Sequence, residues 1–451
     1  SVNVAVIGNS NFLTIMSVQQ VPAEILEIIF ANLDGTSFCR AKQVCKSWGV
    51  VVDKLRCDRK IWKKFCIQDI PDGVIEELVS YKSIPFKNLN VDWLAVYKQW
   101  HLGKVVKSSH VSVSEVKAFC SNPITCIATS GSWVVTGHNN GVVHLWSISG
   151  SDSEQKSDLH LRAITDIALV DLLNLGTYYG LYALPWYHHH MITVSKDACI
   201  RISFLLDSIG NSEYDLTLHQ HGDAINSVRI FGKQFAACSR DNTVTLWDLD
   251  VFRSPYLHLK ATLLRTIIGP AEFIADIGFW YNKLYCITLS GKINICDLNK
   301  EEWLEKSKVK SICLTGIEKR PSIIKYHALR NEVVVMLTAS GKLVVYLDET
   351  HYKIYHLMST LQTLVVSIKL KGTVLVLGGE NGKVYVFYVP VTESLLELDL
   401  TKPTFQCILS EASIVYVDVI FNYTNIMVVA STTEALYFIT WFRDCNLSLI
   451  L

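Results

Sequence analysis

The strongest constraint on this chain is a unit that recurs seven times after residue 110. Each unit has two apolar strand-like runs, a turn built on Asp, Asn or Ser-Gly, and a third alternating strand. The third strands are 142–148, 199–205, 243–249, 292–298, 342–347, 383–389 and 435–441. Their aligned central residues are Trp146, Ser203, Trp247, Cys296, Tyr346, Phe387 and Ile439, separated by 41–57 residues. That spacing suits four-stranded propeller blades. The period of two within each unit and the Gly- and Asp-rich turns argue against a helical solenoid. Seven units in a ring leave one strand to be supplied from elsewhere. The segment 111–118 is expected to complete the last blade, with 442–451 as the competitor. The widest gap reflects an insertion near 171–187 rich in Leu, Tyr and Trp.

Before residue 110 the apolar spacing is helical. Pro22 suits a helix start, where its missing N–H costs nothing. Ile25, Leu26, Ile28, Ile29, Phe30 and Leu33 follow and cover more than one face. Thr36 is expected to cap a second helix carrying Phe38, Ala41, Val44, Cys45 and Trp48. A third runs through Val51, Val52 and Leu55, and Ile61, Trp62 and Phe65 form a fourth cluster. A unit of roughly 45 residues is close to the lower size limit for independent folding. A helix apolar nearly all round cannot be covered on every side by so small a bundle, so apolar surface should remain for a partner. Residues 66–110 read as a connector. Turn signals at Pro71 and Pro85 precede a helix capped by Asn90, with Trp93, Val96, Tyr97 and Trp100 on one stripe that packs against a neighbouring domain.

Composition narrows the function classes. The 42 basic and 42 acidic residues cancel, which argues against nucleic acid or an acidic membrane as a bulk electrostatic partner. Only 19% of residues are charged and 50% are hydrophobic, so the chain is not disordered. No apolar run reaches the roughly 18 residues of a spanning helix. The 13 cysteines lack any C-x-x-C spacing and read as reduced thiols in a cytoplasmic or nuclear setting. The neutrality is a sum of two parts, because residues 1–110 carry net +4 and the remainder net −4. Residues 1–16, which have no basic start resembling a signal peptide, are given no structural role.

Val21-Pro22 through Leu33, then Val44-Cys45-Lys46-Ser47-Trp48, then Ile61-Trp62 resembles an F-box. The resemblance covers residues 17–65, with Val21 standing where Leu is common. It implies docking onto the adaptor subunit of an SCF cullin-RING ubiquitin ligase, with Pro22, Leu26, Ile29, Phe30, Leu33, Val44 and Trp48 making or supporting the contact. The third recurring unit, with His221-Gly222, Arg240-Asp241 and Trp247-Asp248, resembles a WD repeat. That family implies a structural hydrogen-bond network of His221, Asp241 and Trp247. The first unit keeps Trp146 but has Asn140 at the Asp position; the second keeps His160 and Asp197 but has Ser203 for Trp. The expected architecture is therefore α+β multidomain: an extension (1–16), a helical F-box (17–65), a helical linker (66–110) and an all-β WD-repeat propeller (111–451), seven-bladed.

No phosphate loop, nucleophile elbow or H-E-x-x-H is present. His188, His189 and His190 cannot converge on a metal, because neighbours on a strand face opposite ways. No catalytic site, metal or cofactor is expected. The combined resemblance implies a non-catalytic substrate receptor, with the F-box binding the adaptor and, through it, the cullin. The propeller would hold a protein substrate. Related receptors bind phosphorylated segments through arginines on one propeller face. Arg240 and Lys196 precede the turn aspartates of neighbouring units, so both can face one rim and take a phosphate. Asn139 holds the equivalent place in the first unit, and Asn226 sits where a related receptor carries Arg. The alternatives are a propeller scaffold with a vestigial F-box, and a propeller enzyme.

Overall fold

The computed structural model describes residues 3–5, 15–17, 21–71, 74–75, 78, 92–107 and most of 110–442. Within that last span, stretches including 172–188, 206–215, 299–309 and 314–322 lie outside the described residues. The insertion near 171–187 and the competing segment beyond Phe442 therefore fall almost wholly outside the description, as do Pro85 and Asn90.

Four helices form the N-terminal bundle: α1 (Ala23–Phe30), α2 (Gly35–Ala41), α3 (Lys46–Arg56) and α4 (Arg59–Asp69). Two expectations are corrected. Asp34, not Thr36, caps α2, its carboxylate accepting from Ser37 N at 2.9 Å. The run from Phe38 to Trp48 is also not one helix. It breaks after Ala41, so Val44 lies between helices and Trp48 enters with α3. Leu26 and Phe30, four apart on α1, point inward with Phe38, Val52, Trp62 and Phe65. The residues at 1–16, given no role from sequence, include a short antiparallel pairing of Asn3–Ala5 with Ile15–Ser17. Both segments are uncharged and able to alternate.

The helix α5 (Trp93–Leu102) starts at Asp92, whose carboxylate accepts from Ala95 N at 3.1 Å. Its Trp93, Val96 and Tyr97 join the bundle core. A 3-10 turn, Gly103–Lys107, then buries Val105 and Val106 in a different core, between the sixth and seventh blades. A side chain at Gly103 would collide with Thr373 Oγ1, so only glycine permits this approach. One continuous element thus packs on both domains.

Seven four-stranded antiparallel sheets follow, the first six in chain order from inner to outer strand. The seventh is completed by Val111–Lys117, which pairs with Ala435–Trp441 from Val111 opposite Trp441 to Lys117 opposite Ala435. The last sheet is thereby built from both ends of the ring, which joins the first blade to the seventh. Second strands such as Val333–Thr338 and Val374–Gly379 are buried throughout. They read as unbroken apolar runs because both sheet faces pack on neighbouring blades. Charged staples cross the blades. Arg229 in the third blade bridges Asp166 in the second and Asp276 in the fourth, the latter at 2.9 and 3.0 Å. Lys369 Nζ in the sixth reaches Asp418 of the seventh at 3.0 Å.

Candidate functional site

Two surfaces stand out. On α1, Ile25, Ile28 and Ile29 turn outward at helical spacing, and Ile28 is 61% exposed. Pro22 is exposed at the start of the same helix, and Val44 is 58% exposed in the α2–α3 turn. Val50 also faces solvent. The predicted set therefore divides. Pro22, Ile29 and Val44 are available to a partner. Leu26 and Phe30 lie in the core and hold the helix in place. Leu33 and Trp48 are half-buried supports, with the Trp48 ring edge-on to Phe30 at 4.9 Å. The sequence reading gave Ile25 and Ile28 to the helix without assigning them to its outer face. The i, i+3, i+4 spacing opposite Leu26 and Phe30 was the available signal.

In the propeller, turns between second and third strands lie on one face. The backbone N–H groups of Asn139, Lys196, Arg240, Leu289 and Glu380 each donate to the carbonyl preceding their blade's inner strand, at 2.8–3.1 Å. Those five positions are thus structurally equivalent. Beside them, the inner strands of the first six blades carry a register shift near their start that leaves one residue unpaired: Thr125, Thr165, Asn226, Ala275, Ile324 and Val366, with a second shift at Ala328 in the fifth blade. Such bulges re-aim side chains. Here Thr125, Thr165, Asn226 and Ala275 line a cavity of about 610 Å³ with Lys196, Arg240, Phe273, Leu289 and Tyr416.

Lys196 and Arg240, predicted to share a rim, share this cavity. Asn226 donates to Ile274 O at 2.7 Å and faces Arg240 Nε at 3.4 Å, steering the guanidinium. No lining residue is acidic, and half-exposed Phe273 and Leu289 continue the wall from the cations into the fourth blade. These two apolar residues went unassigned in the sequence, although Leu289 occupies the turn position of Lys196 and Arg240. The connector docks on the opposite face, at Thr373 between first and second strands, and Lys107 lies 4.4 Å from the Tyr388 ring.

The turn networks are structural. A neutral His221 protonated on Nδ1 donates to Asp241 Oδ2 at 3.0 Å and accepts at Nε2 from Thr245 Oγ1 at 2.9 Å. Burial lowers its pKa against the pull of Asp241. His160 bridges Asp197 and Thr193 in the second blade. Burial would raise the Asp197 carboxyl, but the His160 hydrogen bond and charge, with the Cys199 and Leu161 N–H groups, hold it well below the usual carboxylate range. The expected third member is corrected: Trp247 Nε1 makes no hydrogen bond among the described residues. Ala237 stands where the first two blades place Thr136 and Thr193, so the indole has no hydroxyl acceptor.

A sequence model of the F-box-like domain matches residues 18–68, and one of the WD domain, G-beta repeat, matches residues 112–147 and 212–248. The chain carries an F-box-like domain and WD40 repeats. The two repeat matches fall on the first and third blades, the ones that keep Trp146 and Trp247. Among solved structures, the crystal structure of the WD40 beta propeller domain of Doa1 is similar, with a TM-score of 0.53 at 15% identity. The likeness covers 75% of this chain and 99% of that one. At that identity it shows the propeller fold alone. No curated protein matches the chain. The bundle with the exposed isoleucines is thus the F-box-like domain, and the cavity opens on the face of the WD40 propeller away from it. Among the described residues no helix is long and apolar enough to cross a membrane, and no group of three His, Cys, Asp or Glu side chains is placed to hold a metal.

Proposed function

We propose that this chain is the substrate-recognition subunit of an SCF-type ubiquitin ligase. The F-box-like domain docks on the ligase adaptor, and through it on the cullin. The propeller holds a protein substrate at its cationic mouth. One observation carries the reading: the bundle that bears the outward isoleucines of α1 is joined, through the connector, to the propeller face away from the Lys196/Arg240 cavity. Both can therefore be occupied at once.

The mechanism is proximity. Tethering raises the effective concentration of substrate near a conjugating enzyme, and no side chain of this chain needs to react. The continuous packing of α5 and Gly103–Lys107 keeps the two sites at a fixed distance and angle. The cavity suits an anionic segment of the substrate, phosphorylated or carboxylate-bearing, because two cations and no acid line it.

The test is affinity purification of the intact chain beside an Ile25→Lys/Ile29→Lys/Val44→Lys variant and a Lys196→Glu/Arg240→Glu variant. The first variant is expected to lose adaptor and cullin while keeping propeller partners, and the second to do the reverse. An unmodified chain that retains propeller partners but captures no adaptor or cullin is a scaffold, and the ligase reading then fails.

A further inference from the structure

The outer edge of the third blade differs from every other described edge. The outermost strands of the other blades are Ser153–Lys156, Leu216–Leu218, Lys310–Cys313, Tyr352–His356, Phe405–Ile408 and Val111–Lys117, of 3–7 residues. In the third blade it is Leu257–Ile268, of 12 residues, paired with Thr243–Arg253 on one side only and along its length except for a bulge at Leu264. At about 3.4 Å per residue the edge is roughly 40 Å long.

Proteins normally blunt such an edge with Pro, charges, bulges or brevity, because its unpaired N–H and C=O groups template another strand; this one is long, and Lys260, inward Arg265 and the bulge at Leu264 are its only such devices. Residues 257–268 contain no Pro. Burial alternates strictly from Lys260 onward, and Lys260, Thr262, Leu264, Thr266 and Ile268 form the exposed row. Leu264 is 42% and Ile268 80% exposed. A solvated row would favour charged side chains; this one is mostly β-branched or apolar, which suits pairing with another strand.

We infer that this edge is a docking strand that takes an extended, acidic segment of another protein by strand addition. Main-chain hydrogen bonds supply affinity, and the exposed row supplies selectivity. The row places Lys260, Leu264 and Ile268 four residues apart on one face. The complementary segment therefore carries an acidic side chain and two bulky apolar side chains at the same spacing, with Thr or Val between. A second copy of this chain offers Lys260 no counter-charge, because residues 257–268 hold Lys260 and Arg265 but no Asp or Glu. This surface is independent of the F-box face and of the propeller mouth.

The probe is a fluorescein-labelled nonapeptide, VSTSVSTSE, blocked at its C-terminus. Paired antiparallel, it sets its valines against Ile268 and Leu264 and its glutamate against Lys260. The full chain is expected to bind it and to slow amide exchange selectively across 257–268. A Leu264→Lys/Ile268→Lys variant should weaken binding at least tenfold. Lys260→Glu, which leaves the packing untouched, should weaken it roughly two- to fivefold, and a Glu→Lys peptide should restore part of that loss. Absence of binding to the unmodified chain, equal binding by the double variant, or protection mapped to another blade overturns the proposal. Sedimentation that finds a dimer abolished by the same double variant assigns the edge to a second copy, and also overturns it.

Discussion

The indole N–H of Trp146 donates to Thr136 Oγ1 at 3.0 Å, on the second strand of the first blade. The same hydroxyl meets His138 Nε2 at 3.0 Å, so one buried threonine joins two rings. In the third blade Ala237 occupies that position and Trp247 has no such acceptor. Thr136→Ala should therefore destabilise the chain by about 1–3 kcal/mol, because it strands a buried donor. Ala237→Ser should shift stability the other way, by up to about 1 kcal/mol. Denaturant midpoints for the two variants provide the check; the same sign for both would contradict this account.

His144 makes stability depend on pH. Burial, aided by the neighbouring His138 charge, pushes its pKa down to about 4, and its ring stacks on Trp146 at 5.9 Å. The folded state thus holds the proton more weakly than the unfolded chain does. Its contribution is fully present above the unfolded value near 6.5 and is lost as pH falls toward 4. Melting temperature should drop between pH 7 and pH 5, and His144→Gln should flatten that slope.

Arg229 holds three blades through Asp166 and Asp276. Arg229→Ala would leave the 8%-exposed Asp276 beside Asp166 without its cation. The expected loss is about 2–3 kcal/mol. That is below the cost for a wholly buried pair, since the arginine side chain is 31% exposed. Replacing Asp276 by Asn in the Arg229→Ala background should recover part of the loss in the melting temperature.

The junction depends on Gly103. Gly103→Val should push the 3-10 turn away from Thr373 and loosen the connector from the sixth blade. Limited proteolysis is expected to cut between Leu102 and His110 in the variant at protease levels the unmodified chain resists. Propeller melting should change little, because closure by Val111–Lys117 lies downstream.

Much of this could be read from residues alone. The period of two and the recurring turns gave the ring and its seven units. The strand near 111 was the expected closing strand because seven units supply one strand too few. The F-box pattern singled out Pro22, Ile29 and Val44, which are exposed, but also Leu26 and Phe30, which are buried. The third-unit pattern placed His221 beside Asp241, and adjacent turn positions placed Lys196 beside Arg240. Local capping was less legible, since Asp34 and Thr36 compete for the same helix start and both are competent caps. The break that exposes Val44 was missed because Phe38, Ala41, Cys45 and Trp48 continue a helical spacing across it.

The sequence by itself determined the element types, the count of blades and the kinds of side chain at each turn. Pattern and turn chemistry act over a few residues, so they are written locally. Only the tertiary structure decided which apolar residues of α1 stay outside, because burial depends on what packs opposite. It alone placed Phe273 and Leu289 in the wall beside Lys196 and Arg240, aimed the bulge residues into one cavity, and left Trp247 without a hydroxyl. It also set the connector on the face away from that cavity. Each of these is a relation between residues distant in the chain, and no local period carries it.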